Sequence, residues 1–252
     1  MKLGIIGSGN VAFHLANYLY NQSHRIQWIY GRNSSTVIEL STNVNATPLF
    51  HLTDTPVVDL IIVCVSDNSI QSVVEQLPHS SNIIITSGTF DIANLEKNKS
   101  NIGVFYPLQT FTKNSKLIIN QIPFIIESKS KIITSALEKI IESGNLQTIS
   151  MNYEQRKNIH LSAVFLNNFI NHLIYLIQEK STKESVDFKL FHPLISETIR
   201  KTLNEQAKFN QTGPAKRKDT DTIAAHQKML EGNLLNIYTL FTKSILETYY
   251  ET

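Results

Sequence analysis

A glycine-rich turn near the N-terminus is the feature that most restricts the fold of this chain. It has the pattern G-x-G-x-x-A and consists of Gly7, Ser8, Gly9, Asn10, Val11 and Ala12. An apolar run at residues 2–6 precedes it, and Val11, Leu15 and Leu19 after it are spaced as on one face of a helix. In such a strand–turn–helix unit the first glycine permits the tight turn, and the second lets a pyrophosphate approach the backbone. The motif predicts dinucleotide binding; the alternative is a glycine turn that only packs.

The remainder of the first half alternates short apolar runs with helical patterns. Residues 26–30, 59–65 and 82–86 are apolar almost without interruption, which is typical of parallel strands covered by helices on both faces. Further strands are expected at residues 103–106, 123–126 and 146–149, with an amphipathic helix at 129–143. We therefore expect an α/β fold in which residues 1–150 form a doubly wound, mostly parallel Rossmann sheet.

The second half, residues 151–252, has no strand signals and is predicted to be an all-helical domain. Helices are expected at residues 153–179, at 188–207 with Pro193 in the first turn, and at 222–247. The first of these is apolar on nearly every face and should be largely buried, which favours a homodimer formed by the helical domain. Asn167, Asn168, Asn171 and His172 in its middle argue against a membrane span.

Composition excludes several classes of function. Lys and Arg number 23 against 21 Asp and Glu, so a net charge of +2 argues against nucleic-acid binding. Cys64 is the single cysteine, and the histidines lack metal-ligand spacing, so neither a disulfide nor a metal site is expected. The apolar start is too short for a secretory signal. These features predict a cytoplasmic protein with a small-molecule substrate.

The end of the second predicted strand indicates which dinucleotide is bound. An NAD site usually has an acidic residue there, but the sequence has none between Tyr20 and Glu39. Arg32 can bind a 2′-phosphate, with Asn33 and Ser34 beside it, so NADP (NADPH) is the predicted cofactor. The alternative is a solvated arginine. The cofactor-binding candidates are Gly7, Ser8, Gly9, Asn10, Val11, Arg32, Asn33, Ser34, Ser66 and Asp67.

Four further motifs carry a family resemblance: Ser87-Gly88-Thr89, the stretch 103–111 around Tyr106-Pro107-Leu108, residues 160–168, and the loop 212–219. With the glycine motif they resemble NADP oxidoreductases that have a Rossmann-like N-terminal domain and a helical C-terminal domain of unknown function. More remotely, the chain is similar to 6-phosphogluconate and hydroxyacid dehydrogenases, pyrroline-5-carboxylate reductases and deazaflavin-dependent NADP reductases. The resemblance implies the fold and the cofactor.

Two departures from these families limit the chemistry that the resemblance implies. Tyr106 stands where the family usually has histidine. Hydroxyacid dehydrogenases use a lysine one turn before an asparagine in the long helix, but no lysine lies between Lys157 and Lys180. A lysine-dependent dehydrogenase reaction is therefore not expected.

Candidate catalytic residues lie in the long helix. His160 and Asn167 are seven residues apart and so share a face, where they can donate a proton and orient a substrate. The alternative is that both only pack. Ser87 and Tyr106, at strand ends, are candidate substrate contacts, because parallel sheets bind ligands at these ends.

The loop at residues 212–219 supplies a second group of candidates. Thr212-Gly213-Pro214 resembles the loop with which pyrroline-5-carboxylate reductases hold a substrate carboxylate, and Arg217 and Asp219 follow it. Thr212, Arg217 and Asp219 are accordingly predicted to bind substrate. The alternative is a solvated turn in which Asp219 or Asp221 caps the next helix.

These observations predict an NADP-dependent oxidoreductase that transfers a hydride between NADPH and a small carbonyl or imine substrate bearing an anionic group. The alternative is a catalytically silent dinucleotide-binding or sensor module that dimerises through its helical domain.

Overall fold

A computed structural model describes residues 1–96, 99 and 101–250. The chain divides into two compact units, Met1–Asn168 and Phe169–Thr252. The division falls inside a long helix, whereas the domain boundary predicted near residue 151 lies just before that helix begins. That boundary follows the change from α/β to all-helical sequence and stays a prediction.

The first unit is built on an eight-stranded sheet with the order β3-β2-β1-β4-β5-β6-β7-β8. The strands are β1 (Lys2–Ile6), β2 (Arg25–Tyr30), β3 (Thr47–Leu49), β4 (Leu60–Val63), β5 (Ile83–Ile85), β6 (Ile102–Pro107), β7 (Pro123–Ser128) and β8 (Gln147–Ser150). Neighbouring strands are parallel except β6 and β7. The predicted doubly wound, mostly parallel sheet is confirmed. The short edge strand β3 was not predicted from the sequence.

Helices of the first unit follow the strands as connections. They are α1 (Asn10–Asn21), α2 (Ser34–Asn43), α3 (Asp67–Glu75), α4 (Ala93–Glu96), α5 (Lys131–Gly144) and α6 (Tyr153–Ala163), with 3₁₀ turns at Leu52–Asp54 and Ile119–Gln121. Both faces of the central strands are buried, and successive side chains of a strand point to opposite faces. Ile5 belongs to the apolar core on one face and Ile6 to the core on the other.

Two glycines of β1 and its turn allow backbone and side chains to approach closely. Gly7 has φ +117°, and a side chain there would overlap the carbonyl oxygen of Cys64. Gly4 lies directly beneath the ring of Trp28 from β2, where a Cβ would clash with the indole. Trp28 is fully buried, and its Nε1 donates to the carbonyl of Pro56 at 2.9 Å. The glycines therefore fix how β1 packs between β2 and β4.

The helical conformation that begins with α6 continues through a π-helical turn at Val164–Phe169 into α7 (Ile170–Lys183). The predicted helix at 153–179 is present as this continuous helical stretch. Its burial, predicted together with a homodimer, is not provided by the single chain and stays a prediction. Large apolar side chains along it are exposed: Leu161, Phe165, Leu166, Phe169, Ile170 and Tyr175. The described helices do not cover these side chains.

The other helices of the second unit are α8 (His192–Asn204), α9 (Ala207–Asn210), α10 (Pro214–Arg217), α11 (Thr220–Lys228) and α12 (Gly232–Tyr250), with a 3₁₀ turn at Phe188–Phe191. Pro193 lies in the first turn of α8, as predicted. The prediction of a single helix at 222–247 is wrong, because two helices, α11 and α12, occur there. Gly232 has φ +55°, which an uninterrupted right-handed helix does not allow. In the described part of the chain, no helix has the length and apolar character needed to span a bilayer.

Candidate active site

Two cavities open at the carboxyl ends of the parallel strands in the first unit. The first, which we call the fingerprint cleft, measures about 560 Å³ and is lined by Gly7, Ser8 and Gly9, by Arg32 and Asn33, and by Ser66. The second, which we call the Tyr106 cavity, measures about 710 Å³. Gly9, Cys64 and Val65 line both, so the two cavities adjoin at the start of α1.

The fingerprint cleft fits a dinucleotide pyrophosphate. Gly9 is the N-cap of α1, and a Cβ built on it meets no atom within 4 Å, so space lies directly over this backbone. No acidic residue occupies the first turn of α1, and no side chain caps it. The helix N-terminus therefore presents free N–H groups and positive dipole to this space. Ser8 is held beside it by a 2.7 Å hydrogen bond between its hydroxyl and that of Thr36.

Two predicted cofactor contacts of this motif face the second cavity. Asn10 and Val11 both line the Tyr106 cavity. The side-chain amide of Asn10 donates to the carbonyl of Phe111 at 2.8 Å, which ties α1 to the segment after β6. Burial raises the pKa of the nearby Cys64 thiol to about 12. That thiol is therefore neutral at physiological pH.

The residues after β2 are arranged around the N-terminus of α2. The side-chain oxygen of Asn33 accepts from the backbone N–H of Thr36 at 3.2 Å and from the Ser35 hydroxyl at 2.8 Å, so Asn33 is the N-cap. Ser34 is the first residue of α2 and exposed. Arg32 is exposed at the rim of the fingerprint cleft, and among the described residues it has no hydrogen-bonding or ionic partner. Its guanidinium is available to a ligand anion.

A tyrosine–histidine pair lies in the Tyr106 cavity. The hydroxyl of Tyr106, at the end of β6, lies 3.1 Å from Nδ1 of His160 on α6. Gly88 packs against both rings: a Cβ there would lie 2.5 Å from His160 Nδ1 and 2.9 Å from Tyr106 Cζ. Burial raises the pKa of Tyr106, the negative charge of Asp67 raises it further, and the positive charge of Arg156 lowers it. The phenol therefore stays protonated at neutral pH.

Hydrogen bonds hold the loop after β5 that carries Gly88. The buried hydroxyl of Ser87 accepts from the backbone N–H groups of Thr89 at 3.1 Å and Phe90 at 2.9 Å. The Thr89 hydroxyl donates to the carboxylate of Asp67, the first residue of α3. Ser87 and Asp67 both line the Tyr106 cavity, whereas Ser66 lines the fingerprint cleft.

A fully buried arginine on α6 braces the same loop. Arg156 donates to the carbonyl of Ser87 at 3.0 Å and to that of Phe90 at 2.9 Å. It also forms an ion pair with Glu127 of β7 at 2.9 Å. The sequence contained no signal for this contact, because a charged residue in the first turns of a helix is usually exposed.

Asparagines of the π-helical turn complete the wall of the Tyr106 cavity. Asn167 lines it together with His160, so the prediction that the two share a face is consistent with the structure. Asn168, in the same π-helical turn, lines the cavity as well. Neither carboxamide forms a hydrogen bond with another described residue. Thr110, which sequence reasoning missed, follows β6 and also lines the cavity.

The remaining predicted site residues belong to the second unit. Thr212 lines an apolar cavity of about 400 Å³ within that unit. Arg217 is exposed, with its Nη2 3.9 Å from a carboxylate oxygen of Asp219. Asp219 caps α11 by accepting from the backbone N–H of Thr222 at 3.1 Å and from its hydroxyl at 2.8 Å. These bonds lower the pKa of Asp219. The helix cap considered from the sequence is therefore present.

The lysines beside Arg217 are held by aromatic rings. Lys216 Nζ lies 3.5 Å from the ring centre of Tyr249, and Lys218 Nζ lies 3.9 Å from that of Tyr250. Arg217, between these two lysines, makes no cation–π contact with a ring of the described residues. In the described residues, no group of three or more His, Cys, Asp and Glu side chains is placed to hold a metal ion.

Comparison with known proteins finds two family models that match parts of this chain. Residues 2–89 match the family "NADP oxidoreductase coenzyme F420-dependent", and residues 122–245 match "Domain of unknown function (DUF2520)". No protein of curated function is similar enough in sequence to count as a relative.

Solved structures extend the comparison over the whole chain. A Bacteroides fragilis protein designated an NADP oxidoreductase is 33% identical, with 98% of each chain covered and a TM-score of 0.90. A Thermotoga maritima protein is 22% identical, with 98% of each chain covered and a TM-score of 0.70. Plasmodium falciparum pyrroline carboxylate reductase with NADP bound is 15% identical, covering 99% of this chain and 97% of that chain, with a TM-score of 0.61. The last two similarities concern the fold alone.

The environment of Tyr106 generates a prediction about its titration. The Tyr106 phenol should titrate above the ordinary tyrosine range, and Asp67→Asn should lower its pKa, because that change removes a negative charge that disfavours the phenolate. Titration of ¹³C-labelled tyrosine by NMR measures both. Glu75→Gln, at the opposite end of α3, is the matched control and should leave Tyr106 unchanged. Equal effects of the two substitutions would contradict the assignment.

Proposed function

The chain belongs to the family of NADP oxidoreductases that carry the C-terminal domain of unknown function, and on that basis we propose that it is an NADPH-dependent reductase of a small carbonyl or imine substrate bearing an anionic group. One observation carries the proposal. The cavity that contains Tyr106 and His160 shares Gly9, Cys64 and Val65 with the fingerprint cleft. A proton donor is thus present in the cavity that adjoins the dinucleotide site.

The choice of NADPH rests on the rim of the fingerprint cleft. Arg32 is exposed there, and no Asp or Glu occurs between Tyr20 and Glu39 to bind ribose hydroxyls. The guanidinium of Arg32 binds the 2′-phosphate, and Ser34 donates to it from the start of α2. Gly7, Ser8, Gly9, Asn10 and Val11 contact the pyrophosphate and the ribose that follows it, and Ser66 and Asp67 contact the cofactor from the end of β4.

The reaction consists of a hydride transfer, which NADPH supplies when bound, and a proton transfer from the protein. His160 gives a proton to the oxygen or nitrogen that becomes negative. Its imidazole suits this role because the ring can both give up and take back a proton. Tyr106 fixes the ring through Nδ1, Asn167 orients the reacting group, and the Ser87 segment forms the opposite wall of the cavity.

The candidates for binding an anionic group lie in a loop of the second unit. Thr212 offers a hydroxyl, and Arg217 is exposed and has only a 3.9 Å approach to Asp219 as an internal ionic partner among described residues. Asp219 contributes by holding Arg217 while it caps α11. Arg217 is assigned this role because the neighbouring Lys216 and Lys218 are engaged with tyrosine rings.

The proposal includes a homodimer and a cytoplasmic location. Exposed apolar side chains are numerous in the second unit, among them Leu190 at 73%, Leu194 at 65% and Leu203 at 80% exposure. Extensive exposed apolar surface is typical of protein interfaces. Association with a second copy of the chain is the simplest way to bury these side chains. The single, protonated Cys64 suits a reducing compartment. In functional terms the chain divides into an NADP-binding domain, 1–150, and a substrate and dimerisation domain, 151–252.

Arg32→Ala should weaken NADPH binding roughly 10- to 150-fold and change NADH binding little, because a charge-assisted hydrogen bond contributes about 1.5–3 kcal/mol. Calorimetric titration with each cofactor measures this. Arg25→Ala, an exposed arginine at the opposite end of β2, is the control and should bind both cofactors as the wild type does. Equal affinity of the wild-type protein for NADPH and NADH would refute the cofactor assignment.

His160→Ala should reduce turnover about 10²- to 10⁴-fold, the usual effect of losing a general acid, while NADPH binding stays nearly unchanged. The assay follows NADPH oxidation with a panel of imines, 2-oxo acids and aldehydes. Unaltered turnover in this variant would exclude His160 from the reaction. Tight NADPH binding without turnover on any substrate would instead favour the silent dinucleotide-binding module.

Sedimentation at micromolar concentration should give twice the chain mass of 28.6 kDa. Leu203→Glu in the second unit should shift the protein toward monomer, because it places a charge on the exposed apolar surface. Val57→Glu in the first unit, at a side chain that is 96% exposed, is the control and should leave the dimer intact. A monomeric wild-type protein would rule the dimer out.

A further inference from the structure

Arg156 is the largest charged side chain buried in the described part of the first unit. Its exposure is 0%, and the side chain of its partner Glu127 is 17% exposed. Burying a guanidinium is costly unless its donors are satisfied, and here most of them are. Nε and Nη2 donate to Glu127, Nη2 also donates to Phe90, and Nη1 donates to Ser87. Four of the five N–H groups are therefore used.

Two of these bonds go to backbone carbonyls, which an ion pair alone does not require. The carbonyls of Ser87 and Phe90 stand at the two ends of the loop that carries Gly88. Inside the loop the Ser87 hydroxyl accepts from the N–H groups of Thr89 and Phe90. The backbone between residues 87 and 90 is thus held at both ends by one planar side chain and closed by one hydroxyl.

The loop in turn determines where the tyrosine–histidine pair sits. Gly88 leaves no room for a methyl group against His160 Nδ1 and Tyr106 Cζ, so a displacement of the loop displaces the rings. His160 follows Arg156 by four residues on α6 and hence lies on the same face of the helix, one turn later. Arg156 and His160 therefore contact the loop side by side.

We propose that Arg156 is a positioning residue: by holding the carbonyls of Ser87 and Phe90 it sets Gly88 against His160 and so maintains the hydrogen bond between His160 and Tyr106. This inference rests on the proposed role of His160 as proton donor. A lysine cannot replace the arginine, because an ammonium is a single point and cannot reach two carbonyls and a carboxylate in the directions that the guanidinium fork provides.

The competing explanation is that Arg156 and Glu127 only stabilise the fold. Two variants separate the explanations. Arg156→Lys keeps the charge and loses the carbonyl bonds, whereas Glu127→Gln removes the charge pair and leaves both carbonyl bonds possible. Long-range ¹H–¹⁵N NMR of the His160 ring reports whether Nδ1 is hydrogen-bonded and which tautomer is present, and His160→Gln identifies its signals. Thermal unfolding reports stability. Neither measurement needs a substrate, so a failed reductase assay would leave the outcome interpretable.

In Arg156→Lys we expect the ¹⁵N signals of His160 to move toward those of a free, tautomer-averaging imidazole. In Glu127→Gln we expect Tm to fall by roughly 5–15 °C with the His160 signals retained. Arg200→Lys is the control, because Arg200 also binds a carboxylate, Glu197, through two nitrogens but is exposed. It should change neither readout.

Unchanged His160 signals in Arg156→Lys, or equal changes in Glu127→Gln, would overturn the proposal. If Arg156→Lys does not fold, Gly88→Ala tests the contact between the loop and His160 directly. Its methyl group would lie 2.5 Å from His160 Nδ1, so the His160 signals should move while Arg156 keeps its partners. A native His160 signature in Gly88→Ala would also overturn the proposal.

Discussion

The backbone of Gly7 approaches that of Cys64 so closely that a Cβ at residue 7 would lie 2.3 Å from the Cys64 carbonyl oxygen. Much of the first unit depends on this close approach. Since Gly7 lacks a Cβ, the backbone after β1 can turn against the end of β4 while its N–H donates to the Tyr30 carbonyl at 2.7 Å. The ends of β1, β2 and β4 are thereby joined at one point. The N-terminus of α1 opens there, and both cavities share the residues around it. One missing side chain thus places the dinucleotide site and the adjoining cavity together.

The placement of Tyr106 and His160 in the Tyr106 cavity depends on a different interaction, the ion pair between Glu127 and Arg156. Past β6 the sheet continues with the antiparallel β7, and this strand brings Glu127 to the guanidinium of Arg156. The ion pair lies between the sheet and α6 and attaches the beginning of the long helix to β7, while the same guanidinium holds the loop after β5. In this way the chain presents a histidine from a helix and a tyrosine from a strand as one hydrogen-bonded pair.

Sequence reasoning reached the parts of the structure that local patterns encode. The glycine motif, the central apolar strands and the helix cap at Asp219 depend on a few neighbouring residues, so they can be read from the sequence. Other features depend on contacts between distant residues. The antiparallel direction of β7 follows from its pairing with β6, and the burial of Arg156 depends on Glu127 and two carbonyls. The pairing of Tyr106 with His160 needed the same distant information.

Trp28, packed over Gly4 and fully buried, has an optical consequence. It is the single tryptophan of the chain and belongs to the first unit, so indole emission from this protein arises from the sheet alone. The helical unit contributes tyrosine but no tryptophan. Tryptophan fluorescence, excited at the red edge of the absorption band and followed during unfolding, therefore reports the packing of β1 and β2. It does not report the unfolding of the helical unit. Far-ultraviolet circular dichroism weights the helices instead, and a difference between the two traces would resolve the units without any introduced label.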